Sequence, residues 1–324
     1  MPPIVTQLMA PEKLEVFISS EFWVSESVLH FSKPVEKCWQ PSEFLPEASQ
    51  GPDGFMKEVR ALRERTIGLP DEYFVIFVGN MLTEDSLPTY QTVINTWVGV
   101  RDATESSSCP WAIWTRAWAA EENRHGHLLR TYIYLSGRVN MMIEKTMQYL
   151  IGAGMDNGTE SKPYMGLMYS SFQERATFLS HGNMARLAKE AGDPVLVRLC
   201  GTIAANEKRH ENAYTKIIEK LVEVDPNATV LAVENMMKKR TVMPHHLISD
   251  GQDSNLYEHF SAVSHRMGVY ITRDYAEIID FFITRWKLEK LDEAEERSAQ
   301  DFVCKFPFEV WKLEIESRNQ ICIK

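Results

Sequence analysis

Two stretches of this chain read Glu-x-Arg-His: Glu122-Asn-Arg-His125 and Glu207-Lys-Arg-His210. Of the nine histidines, only these two have a glutamate three residues before them. Each motif lies inside a long helical pattern and fills a gap in an apolar stripe. The first stripe runs Trp111, Trp114, Trp118, then Leu129 and Tyr132. The second runs Leu199, Ile203, then Tyr214, Ile217 and Leu221. Steps of three and four keep residues on one helix face. Both helices are therefore expected to turn a carboxylate and an imidazole into the core. Burying an ionised carboxylate without a partner is strongly unfavourable. Four such inward groups need a compensating charge, and a metal cation supplies it. The competing reading is a pair of buried Glu–Arg or Glu–His structural contacts.

A metal pair in a four-helix bundle takes Glu-x-x-His from two helices and one glutamate from each of the other two. Candidates for the single glutamates lie one helical segment upstream of each motif: Glu84 before the first and Glu174 before the second. Glu174 has Leu167, Phe178 and Leu187 near it at approximate helical spacing. At the first position Asp85 competes with Glu84 on sequence alone. Pro88 lies four residues after Glu84 and removes the N–H that its carbonyl would accept, so a kink is expected there. Mixed histidine and carboxylate ligation suits iron or manganese better than a thiolate-loving metal. Glu121 and Asn206 precede the two motif glutamates and occupy equivalent positions. Each is placed to reach the histidine of the opposite helix and accept its second N–H. Solvation on the helix surface is the other reading of both.

The rest of the chain is consistent with one helical protein. Residues 1–54 are rich in proline and read as a partly extended arm with one helix near Pro11 to Val24. Residues 55–324 read as a single helical domain, with helical patterns over 55–66, 71–101, 111–152, 165–191, 194–223, 227–240, 255–283 and 286–301. Only Val224–Asp225 and the tail Gln320–Lys324 hint at extended structure. The expected class is all-α, a ferritin-like four-helix-bundle core with additional helices. No stretch approaches the roughly 20 apolar residues of a membrane helix. The net charge of −10 argues against a nucleic-acid footprint. Five cysteines with no CxxC pair argue against a disulfide framework or a cysteine zinc site. The N-terminus has neither a signal-peptide nor a transit-peptide pattern.

The segments PTYQTVINTW, WAIWTRAWAAEENRHG, SFQERATFLSHGN and GTIAANEKRHENAYTKI resemble the soluble acyl-[acyl carrier protein] desaturases of plant plastids. The resemblance runs from about Pro11 to Val303 and includes KPVEKCWQP and DGQDSNLYEHFSAV. It implies two iron ions per chain held by Glu84, Glu122, His125, Glu174, Glu207 and His210, and it selects Glu84 over Asp85. It further implies a homodimer, reduced ferredoxin as electron donor, dioxygen as oxidant, and a deep apolar tunnel for an acyl chain on acyl carrier protein. The implied compartment is the plastid stroma. Such a reaction suits a redox metal, because an unactivated methylene has no acidic proton for an ordinary base to remove.

Thr177, one turn after Glu174, is suggested by the family to assist oxygen activation; the alternative is a bond back to its own helix. Lys57, Arg60, Arg63 and Arg65 precede the bundle and are candidates for binding the acidic carrier protein. Glu58 and Glu64 interrupt them, so a solvated charged helix is the competing reading. Two positions depart from the family pattern. Asn206 stands where aspartate is common, which alters the implied electron route from Trp39 and the surroundings of the histidines. Trp97 stands where many members have leucine, which is expected to shorten the tunnel. A stearoyl or palmitoyl chain is the expected substrate class. The alternatives are another di-iron oxidase or hydroxylase, and a ferritin-like iron-binding protein without organic substrate.

Overall fold

The computed structural model describes residues 9–154, 157–239, 244–291 and 297–321. Among them there is no strand. In chain order the helices are α1 (Pro11–Ser19), α2 (Glu21–Ser27), α3 (Gly51–Ile67), α4 (Asp71–Glu84), α5 (Leu87–Ile94), α6 (Pro110–Ser136), α7 (Glu144–Ala153), α8 (Pro163–Glu190) and α9 (Pro194–Val224). After these come α10 (Pro226–Lys238), α11 (Leu256–Met267), α12 (Thr272–Arg285) and α13 (Arg297–Ile321). Proline opens α6, α8, α9 and α10, where its missing N–H removes a donor that the first turn leaves unpaired anyway.

Helix pairs α4/α6 and α8/α9 form the core, and α6 touches α9 between them. Only Ala191, Gly192 and Asp193 join α8 to α9, so the two must run antiparallel. Gly192 makes that corner at φ +78°, and Asp193 Oδ1 accepts from the N–H groups of Val195 and Leu196 at 3.0 Å each. The second motif helix therefore starts at a fixed point.

Several expected helices are divided, each for a local reason. The pattern over 71–101 breaks after Glu84: Pro88 does not kink one helix but sits at the start of the next, α5. Tyr90 Oη bridges the break by donating to Thr83 O at 2.8 Å. Glu84 thereby becomes the last residue of α4. The pattern over 111–152 breaks at Gly137, which adopts φ +67°, and Arg63 Nε donates to the freed Leu135 carbonyl at 3.0 Å. Gly268 at φ +64° divides 255–283 in the same way. The expected helix over 286–301 gives way to a short turn of 3₁₀ helix at Leu288–Lys290, then residues 292–296, which lie outside the described set, then α13. The expected extended tail is also corrected in part: Gln320 and Ile321 belong to α13, and residues 322–324 lie outside the described set. Asp225 is one non-helical residue that caps α10, its Oδ1 accepting from Ala228 N at 3.2 Å.

The N-terminal segment contains two helices rather than one, and both are docked. Phe17, Val24 and Val28 are fully buried. Trp111 Nε1 donates to Phe17 O at 3.1 Å, and Lys13 Nζ reaches Asp225 Oδ2 at 2.5 Å.

Buried apolar side chains fall into two clusters. One gathers Trp111, Trp114, Trp118, Tyr214 and Ile217; the other gathers Leu128, Leu129, Tyr132, Leu199 and Ile203. Both core helices α6 and α9 contribute to both clusters. Between the two contributions each helix carries its Glu-x-x-His motif, so a polar layer crosses an apolar core.

One contact beside this layer is unusually close. A Cβ built on Gly166 of α8 would stand 2.2 Å from the Trp97 ring, which is 2% exposed and has no room to retreat. Gly166→Ala is expected to destabilise the fold by about 1–3 kcal/mol through overpacking. Trp97→Leu should recover most of that loss in the double variant. Thermal unfolding of the two single variants and the double variant measures the coupling; additive losses would show that the two positions do not compete for space.

Candidate metal centre

Glu84 ends α4, Glu122 and His125 lie one turn apart on α6, Glu174 is midway along α8, and Glu207 and His210 lie one turn apart on α9. All six are buried, none more than 7% exposed. Their donor atoms form two overlapping groups. Glu84, Glu122, His125 and Glu207 offer one atom each within 4.8 Å of one another, and Glu122, Glu174, Glu207 and His210 do the same. Glu122 and Glu207 belong to both. His125 Nδ1 stands 2.8 Å from Glu207 Oε1, 3.3 Å from Glu122 Oε2 and 3.4 Å from Glu84 Oε2. His210 Nδ1 stands 2.7 Å from Glu122 Oε1 and 3.4 Å from Glu174 Oε2.

These short distances are not hydrogen bonds. Glu122 Oε1, Glu174 Oε2, Glu207 Oε1 and both Nδ1 atoms are buried without a hydrogen-bond partner of acceptable geometry. Lone pairs that converge at this spacing without bonding one another are what a cation requires. Four carboxylates also balance the charge of two divalent ions if both imidazoles are neutral. The donor set therefore fits a metal, and its hard oxygens with imidazole fit iron or manganese.

The electrostatics of the polypeptide alone show the same strain. Burial, followed by repulsion from Glu207, raises Glu122 above the usual carboxylate range; burial raises Glu174 further. Burial opposes the ionised forms of Glu84 and Glu207 too. It is outweighed by His125 and His181 at Glu84, and by His125 and His210 at Glu207, so both are lowered. Burial also works against a charged imidazole, but Glu122 and Glu174 push His210 up to about 9. Glu122 and Glu207 hold His125 well above its ordinary range. Without a cation, such a cluster sheds charge only by retaining protons.

The surroundings orient the donors. Trp118 Nε1 donates to Glu174 Oε1 at 2.8 Å, and His181 Nε2 meets Glu84 Oε1 at 2.9 Å. Neither partner was anticipated. Trp118 lies on the apolar stripe, yet it precedes Glu122 by one turn and its ring N–H is a donor. His181 follows Glu174 and Thr177 at steps of three and four, so helical spacing carried the signal. Asp85 turns away: its carboxylate lies against Gly126 and 3.4 Å from Arg130 Nη1.

Glu121 and Asn206 behave differently from each other. Glu121 Oε2 lies 3.1 Å from His210 Nε2 and also meets the Arg209 guanidinium. Asn206 does not pair with His125. Its Oδ1 accepts from Trp39 Nε1 at 3.3 Å, its Nδ2 donates to Glu121 Oε2 at 3.1 Å, and His125 Nε2 has no hydrogen-bond partner. The partners fix the amide orientation, since a flip would set donor against donor and acceptor against acceptor. The Trp39 ring lies nearly parallel to His125, 6° between planes and 6.0 Å between centroids.

Thr177 reaches both its own helix and a carboxylate of the cluster. Its Oγ1 lies 2.7 Å from Glu207 Oε2, and 3.0 and 3.1 Å from the carbonyls of Gln173 and Glu174. One hydroxyl proton serves only one of these acceptors at a time. In the basic segment all four residues are exposed on α3; Arg63 is bonded to the Leu135 carbonyl and Arg65 lies 3.8 Å from Asp193.

Two cavities meet the cluster. The larger, about 450 Å³, includes Glu84, Thr177 and His181 in its wall and reaches the exposed Glu309. The smaller, about 90 Å³, includes Glu84, Glu122, Glu174, Glu207, Thr177 and Trp97, and none of its lining residues is exposed. No helix among the described residues is long and apolar enough to cross a membrane.

Comparison with known proteins places the chain in a family. Residues 12–322 match the family profile described as "Fatty acid desaturase". The chain is 60% identical over 319 residues to the chloroplastic acyl-[acyl-carrier-protein] desaturase of Cucumis sativus, covering 98% of this chain and 80% of that protein. It is 62% identical over 299 residues to stearoyl-[acyl-carrier-protein] 9-desaturase 6 of Arabidopsis thaliana, covering 91% and 76%. It is 59% identical over 319 residues to the Ricinus communis stearoyl-[acyl-carrier-protein] 9-desaturase, covering 98% and 80%. The solved structure of DesA2 from Mycobacterium tuberculosis H37Rv aligns with a TM-score of 0.57 at 18% identity, over 86% of this chain and 97% of that one. That likeness concerns the ferritin-like helical fold.

Sharing sets the expected order of damage. Glu122→Ala and Glu207→Ala remove a donor from both groups; Glu84→Ala and Glu174→Ala remove one from a single group. Anaerobic titration with cobalt(II), followed by its ligand-field absorption, should show the first pair losing binding to both sites and the second pair losing mainly one. Equal losses across all four variants would contradict the overlapping arrangement.

Proposed function

The chain belongs to the fatty acid desaturase family, and from that premise we propose that it introduces a cis double bond into a saturated acyl chain carried on acyl carrier protein. Two iron ions per chain, held by Glu84, Glu122, His125, Glu174, Glu207 and His210, would supply the redox chemistry that takes hydrogen from an unactivated methylene pair. The overall reaction removes one hydrogen from each of two adjacent methylenes. With two electrons from reduced ferredoxin and two protons, it reduces one dioxygen to two waters. The observation that carries this reading is the pair of donor groups sharing Glu122 and Glu207 at the junction of two cavities.

The chain's own residues have definable tasks in this scheme. Trp118 and His181 fix the outer oxygens of Glu174 and Glu84, leaving the inner ones free to face the metals. Glu121, flanked by Arg209, holds the His210 ring by its far nitrogen. Thr177 keeps a hydroxyl proton beside Glu207 and on the walls of both cavities, where a proton is needed during oxygen reduction. Trp39, half-buried and stacked on His125, is the proposed electron entry from ferredoxin. Its link to Asn206 is a neutral one, so this route lacks the negative charge that aspartate would bring. Lys57 and Arg60 are the proposed contacts for the acidic carrier protein, with Arg63 and Arg65 contributing charge from their braced positions. The proposed assembly is a homodimer in the plastid stroma, in keeping with the chloroplastic names of the relatives.

In this reading the small cavity receives the methyl end of the acyl chain, and Trp97 closes it. Incubation with a panel of saturated acyl-carrier-protein thioesters, reduced ferredoxin and oxygen, with mass spectrometry of the products, tests both parts. Products lighter by two hydrogens are expected; hydroxylated products, or none from iron-loaded protein, would overturn the desaturase reading. Trp97→Leu should raise the ratio of longer to shorter products by about tenfold, the scale of one methylene in an apolar pocket. An unchanged ratio would show that Trp97 does not set the length.

A further inference from the structure

The larger cavity is not lined as a hydrocarbon channel would be. Ile76, Ala176, Phe260, Val269 and Phe306 supply apolar wall. On the same wall, Asn80 Nδ2, His181 Nδ1, His245 Nε2 and Tyr270 Oη have no hydrogen-bond partner. Three of these atoms belong to side chains more than nine-tenths buried: Asn80 is 5% exposed, His181 1% and His245 7%. None belongs to a residue free to swing away. Ser180 Oγ donates to Asn80 Oδ1 at 3.4 Å, and His181 is tied to Glu84. His245 lies flat on the Phe260 ring, 4.6 Å between centroids and 11° between planes.

The chemistry of each free atom follows. A carboxylate oxygen only accepts, so His181 donates through Nε2 to Glu84. His245 also bonds the Gly79 backbone, and burial lowers its pKa to about 4, so it is neutral near pH 7. Donation to the Gly79 carbonyl leaves a lone pair on its Nε2. Asn80, the residue after Gly79, offers the opposite group, an amide N–H. The wall thus presents an acceptor, His245 Nε2, and a donor, Asn80 Nδ2, in the cavity that Glu84 also lines. A saturated chain filling this space would expel water and leave both of them unpaired. A carbonyl would satisfy only the amide. A hydroxyl both donates and accepts.

We propose that the acyl chain natural to this protein carries a hydroxyl group on the segment that occupies the larger cavity, and that His245 Nε2 and Asn80 Nδ2 hold that hydroxyl as acceptor and donor. This rests on the acyl-carrier-protein desaturase reading and names its substrate class: a hydroxylated acyl thioester, with the hydroxyl between the thioester and the carbons that are oxidised. A site built to pair a hydroxyl discriminates strongly against the chain that lacks it, because its own buried groups are then stranded.

The test is equilibrium binding of the full-length protein to palmitoyl acyl carrier protein and to a series of positional hydroxypalmitoyl acyl carrier proteins. At least one hydroxylated isomer should bind tenfold or more tightly than palmitoyl, a preference at the low end for a lost buried hydrogen bond of about 1–3 kcal/mol. His245→Phe and Asn80→Leu should each reduce that preference to within about twofold. The ratio is taken within each variant, so a change in its folded fraction does not imitate the effect. Equal binding of palmitoyl and every hydroxylated isomer overturns the proposal. So does a hydroxyl preference that survives both substitutions. In either case, palmitoyl that is still bound and desaturated leaves the broader reading standing, whereas failure to bind any thioester overturns both.

Discussion

Four carboxylates lie in the interior of this bundle, in two groups whose donor atoms fall within 4.8 Å of one another. Like charges at that spacing repel strongly in a medium that cannot screen them. The polypeptide alone relieves this by raising Glu122 and Glu174 and by charging His125 and His210. Much of the remaining architecture holds the cluster in place. Asp193 fixes the start of α9, Pro88 and Tyr90 fix the end of α4, and Trp118, His181 and Glu121 fix individual rings and carboxylates. The apolar clusters on either side supply the burial that such a charged layer does not.

What the sequence disclosed follows from what helical spacing can carry. Glu122, His125, Glu207 and His210 stood out because each interrupted an apolar stripe at a step of three or four. Glu174 followed from bundle arithmetic. Glu84 did not separate from Asp85 on spacing, because the choice depends on where α4 ends, and that is set by Pro88 and the Thr83–Tyr90 bond rather than by periodicity. The divided helices were missed for a related reason. Gly137 and Gly268 stop helices by adopting positive φ, and glycine within an apolar pattern does not announce that choice.

Contacts across the chain were the least legible. Asn206 was expected to serve His125, but Trp39 and Glu121 both claim its amide, and those partners come from the arm and from α6. The two histidines are consequently unlike: His210 has an anionic acceptor behind it and His125 has none. Trp97 and Gly166 likewise form one fitted pair from distant segments, a large ring made possible by a missing side chain. The polar wall around His245 and Asn80 belongs to the same class, because a histidine in the short 3₁₀ turn Pro244–Leu247 carries no signal until the fold turns it toward a cavity.

The central claim is that two metal ions occupy overlapping donor sets bridged by Glu122 and Glu207. Anomalous diffraction at the iron edge, from crystals of the iron-loaded protein, tests it most directly. The account predicts two anomalous peaks, one against His125 Nδ1 and one against His210 Nδ1, with both bridging glutamates in contact with each. A single peak, or peaks away from these six residues, would contradict it.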